Sequence, residues 1–174
     1  EETGAAQNLR DAKILTIYEG TTAIQANDLV GRKTSRDGGQ VAKAIAQQIA
    51  VTESQLAKRN SAHAQAVLKH LSAARLAFLA VVDFVAGQTK ASPNAVFAGS
   101  VPYLMLAGNL MAGWQLARAL IVAEDNTSSD PLFMKAKVNT ARFYADHVLS
   151  KAPGIRDSII DGHTAVNDMA LEAF

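Results

Sequence analysis

The sequence predicts an all-α protein: an up-and-down helical bundle of four long helices, preceded by a shorter helical segment. Three observations lead there. No stretch alternates apolar and polar residues with the period of two that marks a half-buried strand. Long segments instead repeat their apolar residues every three or four positions, as amphipathic helices do. Short polar breaks part these segments, "KTSRDGGQ" at 33–40, "ASPNA" at 91–95 and "NTSSDP" at 126–131. Connections of that length make consecutive helices antiparallel neighbours.

Taken in order, residues 1 to about 13 read as helix through Ala5, Ala6, Leu9 and Ala12. Residues 14–20 break the pattern with a β-branched run that ends at glycine, and read as an irregular, partly buried connection. Helical spacing resumes from Thr22 to about Arg32 through Ile24, Leu29 and Val30. The polar break with two adjacent glycines, Gly38 and Gly39, is the strongest boundary in the chain. It divides residues 1–37 from residues 38–174. The first bundle helix then runs from Val41 to about Arg59 with Val41, Ile45, Ile49 and Leu56 along one stripe. Ser61 caps the second, which carries Val67, Leu68, Leu71, Leu76, Leu79 and Val82 and fades near Gly87. The third ends near Asp125. Asp130 followed by Pro131 is the N-cap and first position of the fourth, which the "APG" at 152–154 ends near Ser150. A short amphipathic segment covers 155–160. With its own four helices to bury apolar stripes, the 38–174 part is expected to be self-sufficient, and the first part to dock on it loosely.

Composition supports a packed domain and excludes several classes. The chain has 174 residues, 49% hydrophobic and 19% charged, with a formal net charge of +1. That is ample apolar material for a core, and no basic excess points to nucleic acid. Without cysteine there is neither a disulfide framework nor a thiolate metal site, which is compatible with a cytoplasmic location. The chain begins at Glu1 with no signal-peptide pattern and reads as a piece of a longer protein. The least polar run, 101–123, contains Pro102, Asn109, Gln115 and Arg118 and reads as a bundle helix rather than a membrane span. Gly108 and Gly113 within it would admit a close neighbour. Trp114, Met105 and Met111 read as core filling.

Few residues are arranged for chemistry. His63 and His70 share a helix face but lack the carboxylate register of a zinc helix. Asp161, His163 and Asp168 read as a polar tail, so no metal site is expected. Gly38-Gly39 lacks the strand and helix that flank a phosphate loop. Glu19 stands apart, in "TIYEGTTAIQANDLVGRK" at 16–33. It precedes the helix cap at Thr21 or Thr22 among Ile14, Leu15, Ile17 and Tyr18. Loss of water there would raise its pKa toward that of a general base, although a carboxylate near a helix start is also a common structural feature.

"IYEGTTAIQ", with "EETGAAQNLRDAKILT" before it, resembles the C-terminal helical domain of flavin-dependent acyl-CoA dehydrogenases. The run "EGTTAIQANDLVGRK" resembles the long form of that family, 3-methylmercaptopropionyl-CoA dehydrogenase-like, which carries an additional helical domain after the usual end of the fold. The resemblance implies that 1–37 is the end of the usual domain and 38–174 the extra bundle. It implies FAD as cofactor, an acyl-CoA as substrate and a trans-2-enoyl-CoA as product. Glu19 is then the base that removes the α-proton, while the β-hydrogen leaves as hydride to the flavin. The thioester carbonyl is hydrogen-bonded in part by the backbone N–H of Glu19. Gly20 lets substrate approach the backbone, and Thr21 and Thr22 contact FAD at a helix start. Ala23 stands where ordinary members often have glutamine, and no role is carried to Arg32. Electron-transfer flavoprotein as acceptor and a homo-oligomeric parent are further implications. On this reading the fragment alone is inactive. The competing reading is a helical assembly module with no catalytic role of its own.

Overall fold

A computed structural model describes residues 4–14, 22–126 and 130–173, and these form helices joined by short turns, with no strand among them. Helix α1 (Ala5–Ile14) buries no residue. Helix α2 (Thr22–Asp28) runs on into a π-helical segment, Leu29–Ser35, with helical backbone angles at both junctions. The bundle proper is α3 (Gln40–Ala57), α4 (Ala62–Gln88), a short α5 (Pro93–Ala98), α6 (Ser100–Asp125) and α7 (Pro131–His147). A 3-10 turn at Leu149–Lys151 leads to α8 (Ala152–Ile160) and α9 (His163–Asn167), with a last 3-10 turn at Leu171–Ala173.

The starts of these helices follow from local chemistry. Ser61 Oγ accepts from the Ala64 N–H at 2.9 Å and Asp130 Oδ1 from the Phe133 N–H at 3.0 Å. Each satisfies a donor that a helix start otherwise leaves open. Asp37 holds the start of α3, accepting from Gly39 N–H at 2.9 Å and Val41 N–H at 3.0 Å. Gly39 supplies the left-handed φ of +79° that the turn needs.

Helix α4 is the centre of the fold and packs against α3, α6, α7 and α8. Its buried line of Val67, Leu71, Ala74, Phe78, Val81 and Val85 meets Ile49 and Leu56 of α3 and Leu106, Leu110 and Leu120 of α6. Each fully buried Leu, Ile or Val contributes about 1.5–3 kcal/mol relative to exposure. Polar cross-links fix the helices at defined heights. Arg75 Nε and Nη2 reach the two carboxylate oxygens of Glu53 at 2.7 and 3.0 Å. Trp114 Nε1 donates to Thr52 Oγ1 at 2.8 Å. At the end of the bundle Arg59 pairs with Glu124 and Asp125, and the Ser61 hydroxyl donates to Glu124.

Several expectations are corrected. Val41, Leu76 and Met105 are exposed: the faces of α3, α4 and α6 that meet neighbours are rotated from the lines the spacing suggested. The third long helix is broken at Gly99, where the Ile159 side chain of α8 leaves no room for a β-carbon, 2.7 Å away. Gly113 does admit a close neighbour, Leu149, but Gly108 faces open space. "APG" opens α8 rather than closing α7, with Pro153 in the first turn, where its missing N–H costs nothing. By length and composition α4 and α6 could each cross a membrane. Both instead contribute the largest share of buried residues to the core.

Candidate functional site

Of the residues singled out from the sequence, Glu19, Gly20 and Thr21 lie outside the described residues. Thr22 is the first residue of α2 and is exposed. The structure therefore defines the support that follows the motif in sequence, beginning three positions after Glu19.

That support is firm. Ala26, Val30 and Thr34 are 0%, 0% and 1% exposed, four positions apart on one face. In a straight α-helix of 3.6 residues per turn, residues at intervals of four drift around the axis. The wider turn of the π segment, with its i→i+5 hydrogen bonds, takes up that drift and keeps all three against the bundle. Of the three apolar residues that carry the helical spacing here, Val30 is buried, Leu29 is only partly covered and Ile24 is exposed. Thr34 Oγ1 lies 2.9 Å from the Tyr103 hydroxyl of α6. Tyr103 is 1% exposed, and its ring stacks on Phe78 of α4 with centroids 6.0 Å apart. Burial pushes the Tyr103 phenol above its ordinary pKa; the hydrogen bond with Thr34 works against this, and the Asp37 charge adds to the rise. The phenol accordingly keeps its proton at neutral pH, and the pair is a neutral hydrogen bond in the core. Beyond Thr34, the Val41 N–H and then the Gly39 N–H hold the Asp37 carboxyl below its usual range. Beneath the π segment is a cleft of about 250 Å³ walled by Leu29, Ala42, Ile45, Phe78, Ala107 and Met111.

The histidines singled out from the sequence lie on other elements. His70 Nε2 lies 3.4 Å from Asp146 Oδ1 at the α4–α7 seam. His63 is exposed beside a cleft next to α7. His163 stacks on Phe84 at 5.8 Å. Among the described residues no three His, Asp or Glu gather as a metal site. Of the two positions that the resemblance assigns to FAD, Thr22 alone is described, and it is exposed. The larger clefts, lined for example by Gln55, Lys58 and Arg59 or by Arg118, Phe133 and Lys137, lie elsewhere on the bundle. Sequence reasoning missed Thr34 and Tyr103. The available signal was a hydroxylated aromatic in an otherwise apolar helix, and it does not name its partner.

Fold and site together describe an all-α bundle that holds the helical segment from Thr22 to Ser35 against it. Residues 39–170 match the family described as "Acetyl-CoA dehydrogenase C-terminal like", and the chain belongs to that family. It is 48% identical over 163 residues to a 3-methylmercaptopropionyl-CoA dehydrogenase of Ruegeria pomeroyi, covering 92% of this chain and 28% of that protein. It is 34% identical to a broad-specificity linear acyl-CoA dehydrogenase of Mycobacterium tuberculosis over 88% of this chain and 26% of that one. With a butyryl-CoA dehydrogenase of Syntrophomonas wolfei the identity is 31%, over 100% of this chain and 29% of the other. The chain thus spans between a quarter and a third of the length of these relatives.

Proposed function

We propose that the chain is the C-terminal part of an FAD-dependent acyl-CoA dehydrogenase. In this reading residues 1–37 end the catalytic helical domain and residues 38–174 form an additional bundle. The observation that carries the reading is the alignment of the whole chain, motif included, with a butyryl-CoA dehydrogenase. Glu19 is the base that takes the α-proton of the acyl-CoA thioester, and its own backbone N–H, with Gly20 leaving room beside it, receives the thioester carbonyl. A preorganised donor of this kind stabilises the charge that develops as the weakly acidic C–H is broken. Thr21 and Thr22 would hold the cofactor edge. FAD, when bound, supplies the acceptor for the two electrons that leave the substrate. Electron-transfer flavoprotein as the next acceptor, a homo-oligomeric parent and a cytoplasmic site belong to the same proposal. Val101, Met105 and Val122, exposed along α6, offer apolar surface for assembly.

The test is Glu19→Gln in the full-length enzyme. Flavin content should be retained, and reduction of the flavin by acyl-CoA should fall by at least the ~10²–10⁴-fold of a lost general base. Reduction at the wild-type rate would remove Glu19 from the role. The 174-residue chain alone should bind no FAD, and saturable micromolar binding in a fluorescence titration would show that it carries a complete site.

A further inference from the structure

Where α6 packs on α7, the seam between them opens into a cleft of about 400 Å³, within the ~300–1,000 Å³ of small-molecule sites. Ala119 and Val122 of α6 and Phe133 and Met134 of α7 give it an apolar lining, and its charged residues are Arg118 and Lys137. Each helix thus turns apolar groups and one cation to the same opening. Val122 is 57% exposed and Phe133 51%, so covering this lining would remove apolar surface from water, which is favourable.

The two cations are available to a ligand. Each lies over the aromatic ring four residues before it. The Arg118 guanidinium is 5.7 Å from the centre of the Trp114 ring, and Lys137 Nζ is 4.9 Å from that of Phe133. Neither makes an ion pair among the described residues. Arg118 Nη1 donates to Gln115 Oε1 at 2.8 Å, which leaves most of the five guanidinium N–H donors free for an acceptor. The carboxylates next along the chain are engaged elsewhere: Glu124 and Asp125 by Arg59, and Asp130 by the Phe133 N–H. An inorganic anion would meet the cations and leave the lining wet. An uncharged chain would cover the lining and leave the cations without a partner. A ligand that carries both groups uses the whole cleft, joining apolar burial to charge-assisted hydrogen bonds.

We propose that the α6–α7 cleft is a binding site for an aliphatic carboxylate of about ten carbons, the length that ~400 Å³ admits at roughly 30 Å³ per water-sized group. Arg118 and Lys137 hold the carboxylate, and the chain lies over Ala119, Val122, Phe133 and Met134. The proposal does not depend on the role assigned to Glu19.

The experiment titrates decanoate, below its micellar concentration, into the 174-residue chain. Calorimetry should show saturable one-to-one binding in the submillimolar range. Trp114, the only tryptophan in the chain, is fixed by its hydrogen bond to Thr52, so its emission should change in step as the carboxylate draws Arg118 from the ring. Decanol and inorganic phosphate should each bind at least tenfold more weakly, and Arg118→Gln and Lys137→Gln should each weaken decanoate by about ten- to a hundredfold. Both side chains are exposed, and the melting temperature of each variant checks that it folds. The proposal is overturned if decanoate does not saturate, or if decanol or phosphate binds as well as decanoate. It is equally overturned if decanoate binds without a response from Trp114 and with undiminished affinity for both variants, since the site would then lie elsewhere.

Discussion

Glu53 and Arg75 are the charges that the fold buries most deeply as a pair, with side chains 10% and 18% exposed and two hydrogen bonds between them. Such a pair adds little net stability over an apolar pair of the same shape, yet removing one partner strands the other. Glu53→Leu should therefore cost about 3–5 kcal/mol in urea denaturation, and Glu53→Leu with Arg75→Met should recover most of it. A double variant as unstable as the single would mean that the helices are packed around the ions. Asp37 makes a different demand. Its carboxyl is held below the ordinary value by the N–H groups of Val41 and Gly39. Its contribution is complete above the unfolded value of about 4 and is lost as pH falls through the lower folded value. Asp37→Asn should lower the melting temperature at pH 7, and the gap to wild type should close on acidification past that window. A gap that stays constant down to pH 2 would show that the charge of Asp37 is irrelevant to the turn.

At the level of elements, α6 carries a matched pair of glycines with opposite surroundings. A β-carbon on Gly113 would meet both methyls of the buried Leu149 at 2.7 Å, whereas Gly108 faces nothing within 4 Å. Gly113→Ala should destabilise by about 1–3 kcal/mol through overpacking. Gly108→Ala should stabilise by up to about 1 kcal/mol, the helix-propensity difference between the two residues. Equal effects would indicate that the approach of Leu149 to α6 is softer than the geometry says. The same pair shows what the sequence could and could not disclose. Helix starts at Ser61 and Asp130 were legible because a cap and its target lie within three residues. The glycines looked alike because the difference between them is Leu149, thirty-six positions away. The close approach of Ile159 to Gly99 and the seating of the π segment on the bundle are likewise contacts between positions far apart in sequence. For the site, "YEGT" is a local pattern and could be read, while the Thr34–Tyr103 bond spans 69 positions and could not.

On the scale of the whole molecule, the question is whether residues 1–37 and 38–174 share stability. The family match begins at residue 39, and α4 with α3, α6, α7 and α8 makes a core that should fold without the first part. But Val30 belongs to the same buried cluster, and Ala26 and Thr34 are sealed beside it, so the segment does more than dock loosely. A chain beginning at residue 38 loses the burial of Val30, about 1.5–3 kcal/mol, and uncovers the apolar surface beneath it on α4 and α6. It is partly offset because residues 22–35 no longer have to be ordered. A net loss of about 2–3 kcal/mol corresponds to roughly 5–10 °C in a domain of this size, so the truncated chain should still melt in one cooperative step, several degrees lower. Removing only residues 1–14 should leave the melting temperature alone, because α1 buries nothing. Hydrogen exchange should rank accordingly: fast in α1, intermediate from Ala26 to Thr34, slowest in the buried line of α4. An unchanged melting temperature for the chain from residue 38 would mean that residues 22–35 rest on the bundle without being held by it. Loss of the cooperative transition would mean instead that residues 22–35 and the bundle are one core, with the division at residue 37 drawn through the middle of it.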